Sequence, residues 1–400
     1  MTSKTFRDVE RELKAFVHLS PELDTTVVLG ELASPVLMSE ATLAVKDLFD
    51  VQGMPSSYGS PIYANNIASV TAEIVRRAEK AGVMIAGKTV TTEFATFKPG
   101  PTCNPQNFEY TPGGSSSGSA ASVGAGLVSH GIGTQTAGSV IRPAAFCGVV
   151  GFLPTMGCVS RDGLKVVSPS LDRVGVFGRS VLAAKDLSVV IADLPNYVQG
   201  NAEPKRIGFF DDETWFEADN YTQNGIKEFK SKVQKAGDVV VDLGSGQKLF
   251  ELINAQCVVM GYEVVRTLES ELKLHGNLIS DELSAYCLEA SKITSTRYAA
   301  ALEVGQAGRF WIESIFNGID AIASPSAKTL PPKTLASTGD PYINRAWSLL
   351  YSPCITLPTS PLYDNLKGAV QLVGGFGQDL KLLNIAAQYE DVISRIGTAN

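Results

Sequence analysis

The sequence of 400 residues predicts an α/β fold in which helices cover both faces of a sheet. Two observations support this prediction. Short apolar runs typical of buried strands alternate along the chain with segments of helical spacing. The apolar fraction of 44% and the charged fraction of 19% are those of an ordinary globular protein, and the length is sufficient for an extensive core. We therefore expect one large domain over residues 1–400.

The predicted elements follow one another in a regular order. Residues 69–82 have helical spacing that ends at Gly82, and the strand-like run VMIAGKTV comes next. ASVGAGLVSHGIGTQT predicts a helix of small residues that passes into a strand. The same alternation predicts strands in KRIGFF and DVVVDL with a helix in NGIKEFKSKVQKAG between them, then short strands in IDAIASP, CITLP and GAVQLVGG, and a closing helix in DLKLLNIAAQYEDVI. We interpret residues 193–205 as a surface crossing within the domain rather than a linker.

Composition argues against several classes of function. The net charge is −7, from 34 basic and 41 acidic residues without a basic cluster, so we expect neither nucleic acid nor a membrane as a partner. The six cysteines form no CxxC pair and several lie in apolar runs, which predicts buried free thiols in a reducing compartment. The N-terminus lacks the apolar segment of a secretion signal, and no apolar stretch reaches the length of about 18 residues that a membrane span needs. We therefore expect a soluble, cytoplasmic protein.

One stretch matches a nucleotide-binding pattern in its letters. GVMIAGKT (82–89) fits the phosphate-loop pattern G-x-x-x-x-G-K-[ST]. A phosphate loop needs flexible residues between its glycines, so that N–H groups can surround the phosphate. Here residues 83–86 are apolar and strand-like, and Gly82 is explained as the residue that ends a helix. We therefore do not interpret this stretch as a nucleotide site.

Two segments rich in glycine and serine contain the candidate nucleophiles. GGSSSGSAAS (113–122) runs directly into core-like sequence, whereas a flexible linker would stay polar. Glycine beside serine allows the backbone to approach a ligand closely. TAGS (136–139) offers consecutive N–H groups on a turn of small residues, which is the material of an oxyanion hole. A tightly packed glycine-rich crossing remains the alternative at this point.

A serine nucleophile needs a base that takes up its proton. Of the three histidines, His18 and His275 lie in other segments, and we interpret His130 as structural because the G-x-S-x-G elbow of Ser-His-Asp hydrolases is absent. Lys46 ends the apolar run ATLAVK, where burial would lower the pKa of its amine and make it a base near neutral pH. The alternative for Lys46 is a strand-end lysine that reaches water.

Several stretches resemble the amidase signature family. They are LAVKDLFDVQGMP (43–55), GKTVTTEFA (87–95), NPQNFEYTPGGSSSGSAASVGAGL (104–127), GTQTAGSVIRPAAFCGVVGFLPT (133–155), SPSLDRVGVFGRS (168–180) and, near the C-terminus, SPCITLP and GAVQLVGG. The resemblance implies an α/β/α layered domain with a central mixed, twisted sheet and a signature core at about residues 41–180. It also implies hydrolysis of carboxamides through a Ser–cis-Ser–Lys triad, with no cofactor and no metal.

The resemblance assigns roles to individual residues. It implies Lys46 as the base, Ser115 as the bridging serine and Ser139 as the nucleophile, with a cis peptide bond between Gly114 and Ser115. The main-chain N–H groups expected to stabilise the oxyanion are those of Thr136, Ala137, Gly138 and Ser139. Lys88 belongs to a different motif of the family and is not expected to be the base.

For substrate recognition we expect Arg142, Gly114 and Gln135. Arg142 stands three residues after the nucleophile, whereas many relatives have arginine two residues after it, and this variant resembles malonamidase-type members. Its guanidinium would bind a carboxylate on a small amide such as malonamate, and the alternative is a structural salt bridge. Three aromatic residues are candidates for lining the pocket, with core packing as the alternative explanation: Phe94, Tyr342 and Trp347.

Two further functions stay open beside a stand-alone amidase for small amides. One is the ammonia-generating subunit of an amidotransferase, although such subunits are usually longer than this chain. The other is an aryl-acetamide hydrolase that acts on substrates similar to indole-acetamide. The complete set of Lys46, Ser115 and Ser139 argues against a non-catalytic scaffold. Whether the chain forms a homodimer is also open.

Overall fold

The computed structural model describes residues 4–27, 37–194, 204–215 and 217–396. Its strands are β1 (Phe16–Leu19), β2 (Thr42–Lys46), β3 (Met84–Thr89), β4 (His130–Gln135), β5 (Val150–Leu153), β6 (Arg173–Gly178), β7 (Arg206–Phe209), β8 (Val239–Asp242), β9 (Ala321–Pro325), β10 (Cys354–Tyr363) and β11 (Leu366–Val373). Its helices are α1 (Phe6–Leu13), α2 (Glu73–Lys80), α3 (Ser117–Gly124), α4 (Ile141–Cys147), α5 (Val181–Ile191), α6 (Asn220–Lys235), α7 (Gln247–Thr267), α8 (Glu269–His275), α9 (Asp281–Ala290), α10 (Ser295–Phe316), α11 (Tyr342–Leu349) and α12 (Asp379–Ile393). No helix among the described residues is long and apolar enough to cross a membrane.

The strands form one eleven-stranded sheet in the order β1-β3-β2-β4-β6-β5-β10-β11-β9-β7-β8. Strand β2 pairs in parallel with β3 and β4, and β7 pairs in parallel with β8 and β9. The remaining neighbours are antiparallel. This arrangement confirms the predicted mixed sheet.

The two faces of the sheet carry separate hydrophobic cores. Along β2, Leu43 and Val45 face one core and Ala44 faces the other, as the two-residue period of a strand requires. Helices α2, α5, α6 and α12 complete the first core, and helices α1, α3, α4, α7, α9, α10 and α11 complete the second. The prediction that helices cover both faces is confirmed.

Some predicted boundaries were wrong. The helix predicted at 69–82 begins only at Glu73, because the preceding residues are extended and pair with the segment after β2. In that pairing the Ala72 N–H donates to the Asp50 carbonyl at 2.8 Å, and the Gly53 N–H donates to the Ala68 carbonyl at 2.9 Å. The strands predicted as short from CITLP and GAVQLVGG belong to a long hairpin of β10 and β11. Most of the crossing predicted at 193–205 lies outside the described residues.

The parallel strands β2 and β4 position the candidate site. Carboxyl ends of parallel strands meet at the same edge of a sheet, so Lys46 at the end of β2 and Gln135 at the end of β4 come together there. Helix α3, which consists mainly of small residues, packs beside strands β2 and β4. A Cβ at Gly118 would lie 2.1 Å from the Ala15 carbonyl oxygen, so only glycine allows this close approach.

Candidate active site

Lys46 is fully buried and hydroxyl groups surround its amine. Its Nζ donates to Ser115 Oγ at 2.7 Å, to Ser116 Oγ at 3.0 Å and to Thr134 Oγ1 at 2.8 Å. Within the described ranges, no carboxylate lies at ion-pair distance from this amine. Burial therefore holds the pKa of Lys46 well below the ordinary value for lysine, and the more distant charge of Asp172 opposes this shift only in part. A lysine that is neutral near pH 7 can accept a proton.

The other serines of the glycine- and serine-rich segment hydrogen-bond to the main chain, which explains the composition of that segment. Three hydroxyl groups donate to carbonyls of β4 or of the residue after β3: Ser116 to Thr134 at 3.2 Å, Ser117 to Val90 at 3.3 Å and Ser119 to Ile132 at 2.9 Å. The Ser122 hydroxyl donates to the Ser119 carbonyl at 3.0 Å within α3. The first three bonds hold this segment against the sheet. Ser115 differs, because its hydroxyl accepts from the Lys46 amine and donates to no main-chain carbonyl among the described residues.

The two predicted catalytic serines, Ser115 and Ser139, differ in the hydrogen bonds of their hydroxyl groups. The peptide bond between Gly114 and Ser115 is cis, as the family resemblance implied. Ser139 lies in the loop between β4 and α4 with 9% of its surface exposed. Its hydroxyl makes no hydrogen bond with any described residue, so the structure joins Ser115 to Lys46 but does not join Ser139 to Ser115. Catalytic hydrogen bonds often tighten only when substrate binds.

The loop after β4 presents free N–H groups. No hydrogen bond among the described residues occupies the main-chain N–H groups of residues 136–139. The next two N–H groups, of Val140 and Ile141, both donate to Gln135 Oε1, at 2.9 Å and 3.1 Å. The four predicted oxyanion donors are therefore unpartnered, whereas their neighbours are not. Buried, unpartnered donors of this kind are suited to a developing negative charge.

The side chain of Gln135, which we expected to bind substrate, hydrogen-bonds within the protein. Gln135 is fully buried, and besides the two N–H groups its side chain contacts Ser348, to whose Oγ the Nε2 donates at 3.2 Å. The amide is thus occupied within the protein and shapes the loop. Gly114 is likewise engaged, because its carbonyl accepts a hydrogen bond from Arg142.

Arg142 forms no salt bridge with any described residue. Its Nη2 donates to the Gly114 carbonyl at 2.7 Å and to Thr338 Oγ1 at 3.2 Å. Its Nε and Nη1 are buried and have no hydrogen-bond partner among the described residues. Burial lowers the pKa of Arg142 to about 9, and the nearby charge of Asp340 opposes this effect. The predicted alternative, a structural salt bridge, is therefore not observed.

Among the described residues, none of the other candidate bases hydrogen-bonds to Ser115 or Ser139. Lys88 lies on strand β3, which covers most of the phosphate-loop pattern, so that stretch is a strand as predicted. The Lys88 Nζ forms a buried ion pair with Asp47 Oδ1 at 2.6 Å. His130 begins β4, and five residues of rise separate it by roughly 17 Å from the end of the strand. Burial also lowers the pKa of His130 to about 4. His18 lies on β1 and His275 ends α8.

Two residues around the site were missed from the sequence. Thr134 stands in no motif that indicates its role, yet its hydroxyl contacts the Lys46 amine. Asp172 is buried, and its Oδ1 accepts from Thr136 Oγ1 at 2.5 Å while its Oδ2 accepts from the N–H groups of Val167 and Ser168. The acidic residue in SPSLDRVGVFGRS was the available signal for Asp172. Asp172 thus carries the charge that acts on Lys46, and it also binds Thr136, the first residue of the loop after β4.

The aromatic candidates for pocket lining are mostly core residues. Trp347 is fully buried and its Nε1 donates to Ser324 Oγ at 3.2 Å. Phe94 is fully buried beside Tyr63, at 6.1 Å between ring centroids. Tyr342 is half-buried near Lys328. Among the described residues, no group of three or more His, Cys, Asp or Glu side chains is arranged to hold a metal ion.

The chain belongs to the Amidase family, whose sequence model matches residues 39–383. The members of this family are enzymes that cleave amide bonds, and the chain is such an enzyme. It therefore acts on amides.

Individual relatives share less than a third of their residues with it. One relative is the A subunit of the glutamyl-tRNA(Gln) amidotransferase of Prochlorococcus marinus, which is 29% identical over 465 residues, covering 98% of this chain and 93% of the relative. The corresponding protein of a Synechococcus species is 30% identical over 441 residues, covering 93% and 88%. A crystal structure of an amidase is 26% identical and superimposes with a TM-score of 0.84, covering 97% of this chain and 95% of that chain. The fold is thus that of amidase-family enzymes.

Proposed function

We propose that the chain hydrolyses a carboxamide to a carboxylate and ammonia through an acyl-enzyme on Ser139. Ser139 Oγ attacks the amide carbon, its proton passes to Ser115 Oγ, and the Ser115 proton passes to neutral Lys46. The four N–H groups of residues 136–139 stabilise the oxyanion that forms. When the tetrahedral intermediate collapses, the relay returns the proton to the leaving ammonia. Water then attacks the ester, with the same relay, and releases Ser139.

The observation that carries this proposal is the environment of Lys46. The amine is fully buried, donates to Ser115 Oγ at 2.7 Å, and has no carboxylate in contact among the described residues. A buried lysine without a counter-ion is costly for a fold unless its neutral form is used. Ser115 in turn follows the cis bond at the start of the segment that faces the loop of Ser139.

Ammonia release tests the proposal directly. Wild-type protein is expected to release ammonia from simple amides and to react with a serine-directed fluorophosphonate at Ser139. Ser139→Ala should lose both properties, whereas Ser117→Ala, which removes another buried serine hydroxyl of the same segment, should keep both. Labelling that persists in Ser139→Ala would contradict the assignment of the nucleophile.

The relatives favour a second role for the same chemistry. The curated relatives quoted above are subunits of an amidotransferase, so we also propose that this chain supplies ammonia to a partner. Against this, the alignment with the Prochlorococcus protein has 465 positions and this chain has 400 residues, so that relative has segments which this chain lacks. Ammonia release by the isolated chain, without a partner, distinguishes a stand-alone amidase from one that needs its complex.

The substrate class follows from Arg142. Its buried Nε and Nη1 have no acceptor among the described residues, and a substrate carboxylate would supply one. A short acid amide places that carboxylate one carbon from the amide, whereas in glutamine three carbons separate the two groups. Turnover of malonamate, succinamate, glutamine and indole-acetamide therefore separates the candidates. A preference for malonamate supports the stand-alone acid-amide hydrolase, and a preference for glutamine supports the amidotransferase role.

The compartment and the assembly are also proposals. Six free cysteines, four of them buried, support a cytoplasmic location, because free thiols persist in a reducing compartment: Cys103, Cys147, Cys158, Cys257, Cys287 and Cys354. Since the described strands form one sheet, we propose a single catalytic domain. A homodimer is tested by the mass of the protein in solution.

A further inference from the structure

Among the described residues, the carbonyl groups of residues 136–138 accept hydrogen bonds, whereas the N–H groups of the same three residues have no partner. The Thr136 carbonyl accepts from Gln256 Nε2 at 3.1 Å, and the Ala137 carbonyl accepts from Ser348 Oγ at 2.8 Å. The Gly138 carbonyl accepts from the N–H of Arg142 at 3.0 Å. Three consecutive residues thus have their carbonyl oxygens held by the protein, while no hydrogen bond from the described part of the chain occupies their N–H groups.

Helix α11 supports this loop along one face. A Cβ at Gly138 would lie 3.0 Å from Pro341 Cβ and 3.2 Å from Asn344 Cβ, so the helix start touches the loop directly. Ser348, one turn after Asn344, donates to Ala137. Residues spaced by three or four positions share a helix face, which explains how one helix reaches successive peptide groups.

Helix α7 supports the loop through Gln256. This side chain is fully buried, and its Oε1 accepts from Arg345 Nη1 at 2.6 Å while its Nε2 donates to Thr136. Arg345 lies on α11, so it holds the Gln256 amide in the orientation that presents its N–H group to the loop. The two helices therefore act together on the same peptide groups.

We propose that Gln256 and Ser348 are positioning residues for the oxyanion site: they hold the Thr136 and Ala137 carbonyls so that the N–H groups of residues 136–139 stay directed at the reacting oxygen. Among the described residues, neither Gln256 nor Ser348 hydrogen-bonds to Lys46, Ser115 or Ser139. The proposal rests on the proposed function of this loop. It assigns part of the catalytic effect to helices far along the chain from the signature core.

The test uses the second-order rate of fluorophosphonate labelling at Ser139, measured against pH, together with kcat and KM on the amide that wild type hydrolyses fastest. Gln256→Met removes both contacts of the amide. Gln256→Glu keeps the contact with Arg345 but loses the N–H that Thr136 needs. Gln106→Met is the matched control, since Gln106 also donates to a main-chain carbonyl, that of Phe146 at 2.6 Å, and accepts from the Lys367 N–H at 3.0 Å.

We expect Gln256→Met, Gln256→Glu and Ser348→Ala each to lower kcat and the plateau labelling rate by about tenfold or more, with KM changed by less than about threefold. The pH midpoint of labelling should not move in Gln256→Met or Ser348→Ala, because Lys46 is untouched and neither change adds a charge. Gln106→Met should label at the wild-type rate. Thermal unfolding identifies any variant that is not folded, and Gln256→Glu, which keeps size and the Arg345 contact, serves where the methionine variant is unstable.

Two results would overturn the proposal. One is a folded Gln256→Glu variant with the wild-type plateau rate, which would show that the hydrogen bond to Thr136 is not needed. The other is a displaced pH midpoint or a matching change in KM in Gln256→Met or Ser348→Ala, which would show general distortion of the site. If wild type itself neither labels at Ser139 nor releases ammonia, the proposed function fails, and that outcome is distinct from either of these.

Discussion

Two fully buried lysines on adjacent strands of this protein have opposite environments. Lys46 ends β2, and its amine meets three hydroxyl groups. Lys88 lies on β3, and its amine meets the Asp47 carboxylate at 2.6 Å, the Ser56 hydroxyl and the Pro55 carbonyl. Lys88 is in register with Val45, one residue before Lys46, so the two side chains leave the sheet on opposite faces.

The difference separates a proton acceptor from a structural ion pair. Burial lowers the pKa of both amines, but at Lys88 the contacting Asp47 carboxylate opposes that shift. At Lys46 the opposing charge, Asp172, is not in contact, and the lowering of the pKa is large. A serine hydroxyl can give its proton to the amine while it takes one from a second hydroxyl, and it then stays neutral. We infer that a buried lysine is a base where its neighbours are hydroxyls, and a cation where its neighbour is a carboxylate.

The largest expected effect concerns catalysis. Lys46→Met should lower kcat by at least about 1,000-fold, because the relay loses its acceptor. Lys88→Met should leave kcat within about tenfold of wild type, since the Lys88 amine contacts neither Ser115 nor Ser139. Ammonia release by purified, folded protein measures both. A folded, inactive Lys88→Met beside an active Lys46→Met would reverse the comparison.

The second effect concerns stability, where Lys88→Met should have a larger effect than Lys46→Met. Lys88→Met should lower the free energy of unfolding by about 3–5 kcal/mol, because it leaves the buried Asp47 charge uncompensated. Lys46→Met leaves no unpaired charge and should change it by less than about 1 kcal/mol. Denaturant unfolding compares the two. Adding Asp47→Asn to Lys88→Met should recover part of the loss, and no recovery would show that the ion pair is not the cause.

A third effect sharpens the interpretation of Lys46 through pH. Because the reactive form is the neutral amine, kcat/KM should rise with pH through the lowered pKa of Lys46 and level off above it. The profile of kcat/KM for wild type measures this limb. His130→Ala, which removes the buried histidine at the far end of β4, should leave the limb in place. A limb that disappears in His130→Ala would point to histidine instead.

The smallest effect concerns the charge between the base and the loop. Asp172 raises the pKa of Lys46 against the effect of burial, so Asp172→Asn should move the rising limb to lower pH. The asparagine oxygen can still accept from the N–H groups that now bind Asp172, and its amide can donate to the Thr136 hydroxyl. The measurement is the midpoint of the kcat/KM profile, with Asp340→Asn, near Arg142, as the matched loss of an acid. A shift to higher pH in Asp172→Asn would contradict the role of this charge.

The three residues that we propose as the triad could be located in the sequence because each lies in a short local motif. The alternation of strands and helices in the sequence also predicted that helices cover both faces of the sheet. The family resemblance predicted the cis peptide bond. It did not predict the surroundings, because these come from distant segments: Ser348 is 211 residues from Ala137, and Gln256 is 120 residues from Thr136. Neither residue stands in a motif. The contact of Gln135 with Ser348 was not predicted for a related reason, since the two residues are 213 positions apart in the sequence.

The ionisation of Lys46 itself tests the account most directly. In protein labelled with 13C at lysine Cε, the signal that disappears in Lys46→Met identifies this residue, and the signal that disappears in Lys88→Met provides the comparison. We expect Lys46 to lose its proton at a lower pH than the exposed lysines and at a lower pH than Lys88. A Lys46 signal that stays in the charged form until the exposed lysines titrate would contradict its role as the base.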